Sequence, residues 1–147
     1  MPVYKNIDVE NPYLATVNAN NIVYQSFKPE CPKISSVIVR VEAATGNSSD
    51  NLVFSILDEN KNVLSSNEFP ISPMKRRDIL QLPVQAEVSR DNPTLWIRLS
   101  IANGDSSSAD VKLLGRENGI IYPDGELFSN QEEQNGDLFF QYTCSNK

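Results

Sequence analysis

The run Thr94-Leu95-Trp96-Ile97-Arg98-Leu99-Ser100-Ile101 decides how this chain folds. Leu95, Ile97, Leu99 and Ile101 take every second position, while Trp96, Arg98 and Ser100 fill the alternate ones. Side chains alternate between the two faces of an extended strand, so one face here is an aliphatic row and the other is exposed or faces a ligand. The same alternation recurs on both sides of this run. Val37, Val39 and Val41 oppose Ile38, Arg40 and Glu42; Leu52, Phe54 and Ile56 oppose Val53, Ser55 and Leu57. Near the end, Leu138, Phe140 and Tyr142 oppose Phe139, Gln141 and Thr143 as one closing strand. Weaker strands are expected over 22–27, 63–68, 79–84, 111–114 and 126–128.

No long segment carries apolar residues at helical spacing, and the short runs are bounded by Asn, Asp, Gly, Ser and Pro. Residues 58–62 read as a hairpin loop, and 45–51 and 103–110 as polar loops. Pro123-Asp124-Gly125 is a tight-turn signal, because proline pre-sets φ and glycine accepts a positive one. About eight to ten such strands predict an all-β, antiparallel, two-sheet β-sandwich. Residues 1–20, including Asn11-Pro12, read as a lead-in or linker, and residues 21–147 as the sandwich domain.

The 147 residues suit one domain and suffice to bury a core. A hydrophobic fraction of 39% and a charged fraction of 22% are those of an ordinary globular chain. Nucleic acid is not an expected partner, since a net charge of −6 repels phosphates. The basic cluster Lys75-Arg76-Arg77 reads as a solvated turn. No stretch approaches the roughly 20 apolar residues of a membrane span. Met1-Pro2-Val3-Tyr4-Lys5 is not followed by the apolar segment of a signal peptide, as at a boundary within a longer protein.

The absence of histidine removes Ser-His-Asp and Cys-His catalysis and histidine-ligated zinc. No phosphate-cradling glycine loop occurs, and residues 105–110 lack the ligand order of an EF-hand. Of the nineteen acidic residues, Asp124, Glu126 and Asp137 flank the last two strands. Their oxygens suit a structural Ca²⁺ or, across a cleft, a glycosidase pair. The plainer reading makes Asp124 part of a turn and Asp137 the opening of a strand. The expectation is therefore a protein that is not an enzyme and needs no cofactor, structural Ca²⁺ being the one alternative kept. Cys31 and Cys144 lack zinc-site spacing, and both a long-range disulfide and two separate thiols stay open. Asn47-Ser48-Ser49 matches the N-glycosylation pattern, which has meaning only in a eukaryotic secretory setting.

Trp96, the sole tryptophan, stands beside Arg98 on the face opposite the aliphatic row. An indole stacks on the C–H face of a sugar while a guanidinium bonds its hydroxyls. The competing reading packs Trp96 beneath a loop or a neighbouring domain. Tyr122, before the Pro123 turn, offers a second stacking platform.

From Tyr24 onward the chain resembles bacterial jelly-roll accessory domains attached to extracytoplasmic and membrane glycosyltransferase and polysaccharide-assembly proteins, and more distantly carbohydrate-binding modules. Three stretches carry the resemblance. One is Gln25-Ser26-Phe27 with Ile34-Ser35-Ser36-Val37; another is Leu52-Val53-Phe54-Ser55-Ile56-Leu57-Asp58. The most specific is Tyr122-Pro123-Asp124-Gly125-Glu126-Leu127-Phe128 followed by Gly136-Asp137-Leu138-Phe139-Phe140. The closing Gln141-Tyr142-Thr143-Cys144 departs from the pattern. The resemblance implies a jelly roll, an extracytoplasmic or cell-surface location, and no catalytic residues, and its motifs define no ligand site. The expected function is a non-catalytic, carbohydrate-binding-like module of a larger cell-envelope or exported protein, holding a glycan or polysaccharide through Trp96, Arg98 and Tyr122. The alternative is a structural or assembly module contacting a neighbouring domain or another copy, for which outward-facing Ile38, Val53 and Leu57 argue.

Overall fold

The computed structural model describes residues 2–4, 12–74, 78–102, 109–117, 127–129, 132–134 and 136–145. Among them thirteen strands form two antiparallel sheets. The strands are β1 (Pro2–Tyr4), β2 (Pro12–Asn18), β3 (Val23–Phe27), β4 (Lys33–Thr45), β5 (Asn51–Leu57), β6 (Val63–Pro70) and β7 (Asp78–Glu87). They continue with β8 (Leu95–Ala102), β9 (Asp110–Glu117), β10 (Leu127–Ser129), β11 (Glu132–Gln134), β12 (Gly136–Leu138) and β13 (Phe140–Cys144).

Hydrogen-bonded neighbours place β2-β9-β4-β7 in one sheet and β3-β8-β5-β6 in the other. From β2 to β9 the chain changes sheet at every step except the β5–β6 hairpin. Two interlocked Greek keys are the only simple way to produce that order, so the architecture is a jelly roll. The strands beyond the expected number are short ones. β10 and β11 widen the second sheet beyond β3, while β1, β12 and β13 complete the first.

The core follows from the alternation. Val37, Val39 and Val41 from β4, Leu52, Phe54 and Ile56 from β5, and Leu95, Ile97 and Leu99 from β8 are all buried in one cluster. Phe27 packs on Phe140 and Tyr142 across the two sheets, with ring centroids 5.2 and 5.6 Å apart. Gln25 also points inward. It is fully buried, and its Oε1 accepts the backbone N–H of Leu138 at 2.9 Å, tying β3 to the other sheet.

Two sequence expectations need correction. The lead-in ending at residue 20 contains two strands of the first sheet: β1 pairs with β13, and β2 pairs with β9 from Asp110 to Arg116. Ala15 and Val17 of β2 lie in the core, but two small residues between prolines and asparagines make a faint periodic signal. The closing strand is also not one strand. It divides at Phe139, with β12 on β9 and β13 on β4. Phe139 donates its N–H to the Leu114 carbonyl and packs with Leu114 apart from the main core. The alternation was correct about faces, but pairing partners are not encoded by a period of two.

Of the two readings for the cysteines, the structure has the disulfide. Cys31, after β3, is bonded to Cys144 at the end of β13 with Cα atoms 6.1 Å apart. The same seam carries bonds from Glu30 N–H to the Tyr142 hydroxyl and from Ser145 N–H to the Lys33 carbonyl.

Candidate functional site

The outer face of the β3-β8-β5 sheet is where the sequence-selected residues Trp96 and Arg98 meet others. Register aligns Phe128, Tyr24, Arg98, Ser55 and Ser66 directly opposite one another across β10, β3, β8, β5 and β6. At a strand spacing of about 4.8 Å this row is roughly 19 Å long. A second row runs Ser26, Trp96, Leu57 and Val63. Aromatic groups thus gather at one end, a guanidinium occupies the middle, and hydroxyls continue toward β6.

Trp96 sits at the junction of three aromatic side chains. Tyr24 meets it edge-on, with centroids 6.2 Å apart and planes at 87°, and Phe128 lies 5.8 Å away at 50°. Each such contact adds about 0.5–1.5 kcal/mol beyond area burial. The indole remains half-buried. Both readings of Trp96 therefore meet in one place: it packs against neighbours and beneath a loop residue, yet part of it faces outward.

That loop residue is Lys61, in the β5–β6 hairpin. Asp58 shapes the loop by accepting the N–H groups of Asn60 and Asn62 at 2.9 and 2.8 Å on Oδ1. The Asn62 N–H is the main cause that holds the Asp58 carboxyl below its usual 3.8, and Asn60 and the Asn62 side chain add to it against a smaller effect of desolvation. Lys61 takes the left-handed region with φ of 65°, unusual without a glycine. Its ammonium stands 4.7 Å from the Trp96 ring centre and 5.1 Å from that of Tyr24.

Arg98 is half-buried. Its Nη2 reaches Ser55 Oγ at 3.4 Å, beyond the usual N–H···O range, and its Nε is buried without a hydrogen-bond partner. Ser55 in turn shares a 2.9 Å bond with Ser66. Leu57, expected as an outward apolar residue awaiting cover, is already buried between Trp96 and Val63.

Tyr122, Asp124 and Glu126 lie outside the described residues. Asp137 is in β12, opposite Arg116, but its side chain is also outside the description. Among the described residues, no group of three His, Cys, Asp or Glu side chains gathers as a metal site. Sequence reasoning missed Tyr24, Phe128 and Lys61. Tyr24 and Phe128 were visible as alternating positions in weak strands, but only the register brings them beside Trp96. Nothing in the sequence signalled where the Lys61 ammonium would rest.

No protein-family model matches the chain, and no curated protein does. Among solved structures, 99% of the chain aligns with 37% of a chain in the structure of infectious bursal disease virus, Gt strain, at a TM-score of 0.32 and 7% identity. The Gx strain of the same virus gives 99% against 36%, a TM-score of 0.28 and 8% identity. The chain spans little more than a third of the length of these structures. Likeness at this level carries no argument about function, and the jelly roll rests on the strand order itself.

Proposed function

We propose that this chain is a non-catalytic glycan-binding accessory module of a larger cell-envelope or exported protein. The observation that carries the reading is the Tyr24–Trp96–Phe128 cluster on an outer sheet face, continued along one row by Arg98 and, past the fully buried Ser55, by the exposed Ser66. Aromatic rings accept the C–H faces of sugars, and the polar half of the row bonds their hydroxyls. The sequence resemblance to accessory domains of polysaccharide-assembly proteins supports the same reading. The Cys31–Cys144 disulfide points weakly to an oxidising compartment. Titration of Trp96 fluorescence with a panel of bacterial polysaccharides tests it: a saturable shift with one glycan class is expected, reduced at least about tenfold in affinity by Tyr24→Ala. Absence of binding to every glycan of a broad array, with the fold intact, would sink the proposal.

A second reading, assembly through the sheet edges, is favoured by one observation. Val63 and Leu64 on the edge strand β6 are 53% and 42% exposed, and Ile79 on the edge strand β7 is 52% exposed. Apolar side chains on unpaired edges invite another strand. Sedimentation at rising concentration separates the readings, since only the second requires a defined oligomer.

A further inference from the structure

Among the described residues two side chains hold a buried atom without a hydrogen-bond partner, Asn21 at Oδ1 and Arg98 at Nε, and Arg98 is the charged one. A guanidinium offers five N–H donors. Here it is half-buried, engages Ser55 only at 3.4 Å, and keeps Nε buried with no acceptor. Among the described residues it has no carboxylate partner; the ion pair found there joins Lys112 to Asp110. A buried donor without an acceptor is costly, and a partly desolvated charge without a counter-charge more so. Nε itself is closed to solvent, so an anion from outside would be met by the Nη donors of the same half-buried side chain, where the charge still has no counter-charge.

Lys61 adds a second cation to the same patch. Its ammonium rests over Trp96 and Tyr24. At an exposed site that contact contributes only about 0.5–1 kcal/mol, so an arriving anion competes with it easily. Two cations beside three aromatic rings on a chain of net charge −6 are not what a neutral sugar requires.

We propose that the glycan recognised at this face carries a carboxylate, as in a uronic-acid polysaccharide, bound by Arg98 with Lys61 beside it while the sugar ring stacks on the Trp96 cluster. The inference rests on the glycan-binding reading above. The planar fork of arginine matches the two oxygens of a carboxylate. A single arginine fork suits one carboxylate per sugar better than a densely sulfated chain, which the overall charge repels more strongly.

The test uses the unmodified chain and three probes: polygalacturonate, the same polymer with its carboxyls reduced to alcohols, and dextran sulfate. Polygalacturonate is expected to bind, the reduced polymer about tenfold to a hundredfold more weakly, and dextran sulfate no better than the reduced polymer. Arg98→Met should lower affinity for polygalacturonate to about that of the reduced polymer, and should weaken the reduced polymer by a much smaller factor, that of a lost hydroxyl contact. Arg98→Lys, retaining charge without the fork, should recover part of the loss. Equal binding of the parent and reduced polymers overturns the carboxylate proposal while leaving the glycan reading intact. Equal binding of dextran sulfate and polygalacturonate, both dependent on Arg98, also overturns it. Failure of every glycan, charged or neutral, removes the underlying reading instead.

Discussion

Breaking the Cys31–Cys144 bridge, by reduction or by Cys31→Ser with Cys144→Ser, should be among the costliest single changes to this fold. The two cysteines are separated by 113 residues. A cross-link over such a loop removes roughly 16 cal/mol/K of entropy from the unfolded chain, about 4.8 kcal/mol at 25 °C. The folded side of the balance is little altered, because β13 stays paired with β4 and Tyr142 stays bonded to the Glu30 N–H. The expected loss is therefore about 3–5 kcal/mol, a large share of the 5–15 kcal/mol typical of a domain. Urea unfolding followed through Trp96 fluorescence, with and without reductant, measures it directly. The denaturant slope should also rise, because the uncrossed unfolded chain exposes more surface. A loss below about 1 kcal/mol with an unchanged slope would refute the loop-entropy reasoning.

Gln25→Met keeps the volume but removes the acceptor for the buried Leu138 N–H, and should cost about 1–3 kcal/mol in urea unfolding; a neutral result would mean the tie between sheets is dispensable. Asp58 contributes stability that is present above the usual carboxyl value of 3.8 and is lost as pH falls through its lower folded value. Asp58→Asn should therefore flatten the acid limb of a pH–stability curve below that value. Tyr142 behaves oppositely: burial pushes its phenol above 10.0, so its contribution is complete below that pH and is lost as pH rises through the raised folded value. Tyr142→Phe should remove this alkaline component and cost about 0.5–1.5 kcal/mol at neutral pH, read by the same unfolding curves. Phe54→Ala, emptying a fully buried ring site beside Phe69, should cost about 3–5 kcal/mol, and a loss under 1 kcal/mol would contradict the placement of the core.

What the sequence made legible was the orientation of side chains. Leu95, Ile97 and Leu99 point inward and Trp96 and Arg98 outward because the alternation of an extended chain is a local property. What it hid was everything set by pairing. The row from Phe128 through Tyr24 and Arg98 to Ser66 joins residues up to 104 positions apart (128 − 24), and no local pattern fixes such a register. The division at Phe139 was hidden for the same reason, since Leu138 and Phe140 keep their faces while exchanging partners. β2 escaped notice because Ala15 and Val17 are small and flanked by polar residues. The Lys61 ammonium was hidden by a different cause, a left-handed backbone at a residue that gives no hint of it.

The placement of β13 also has a consequence for how the chain is made. β4 needs β13 along one edge, and Cys31 needs Cys144. At about 5–20 residues per second, translation separates the two cysteines, 113 residues apart, by roughly 6–23 s. Throughout that interval β4 has an open edge beside strands already able to pair, and Cys31 is an unmatched thiol. The nascent chain is thus exposed to wrong pairing until β13 emerges, and an oxidoreductase acting once Cys144 is available would set the yield of the native fold.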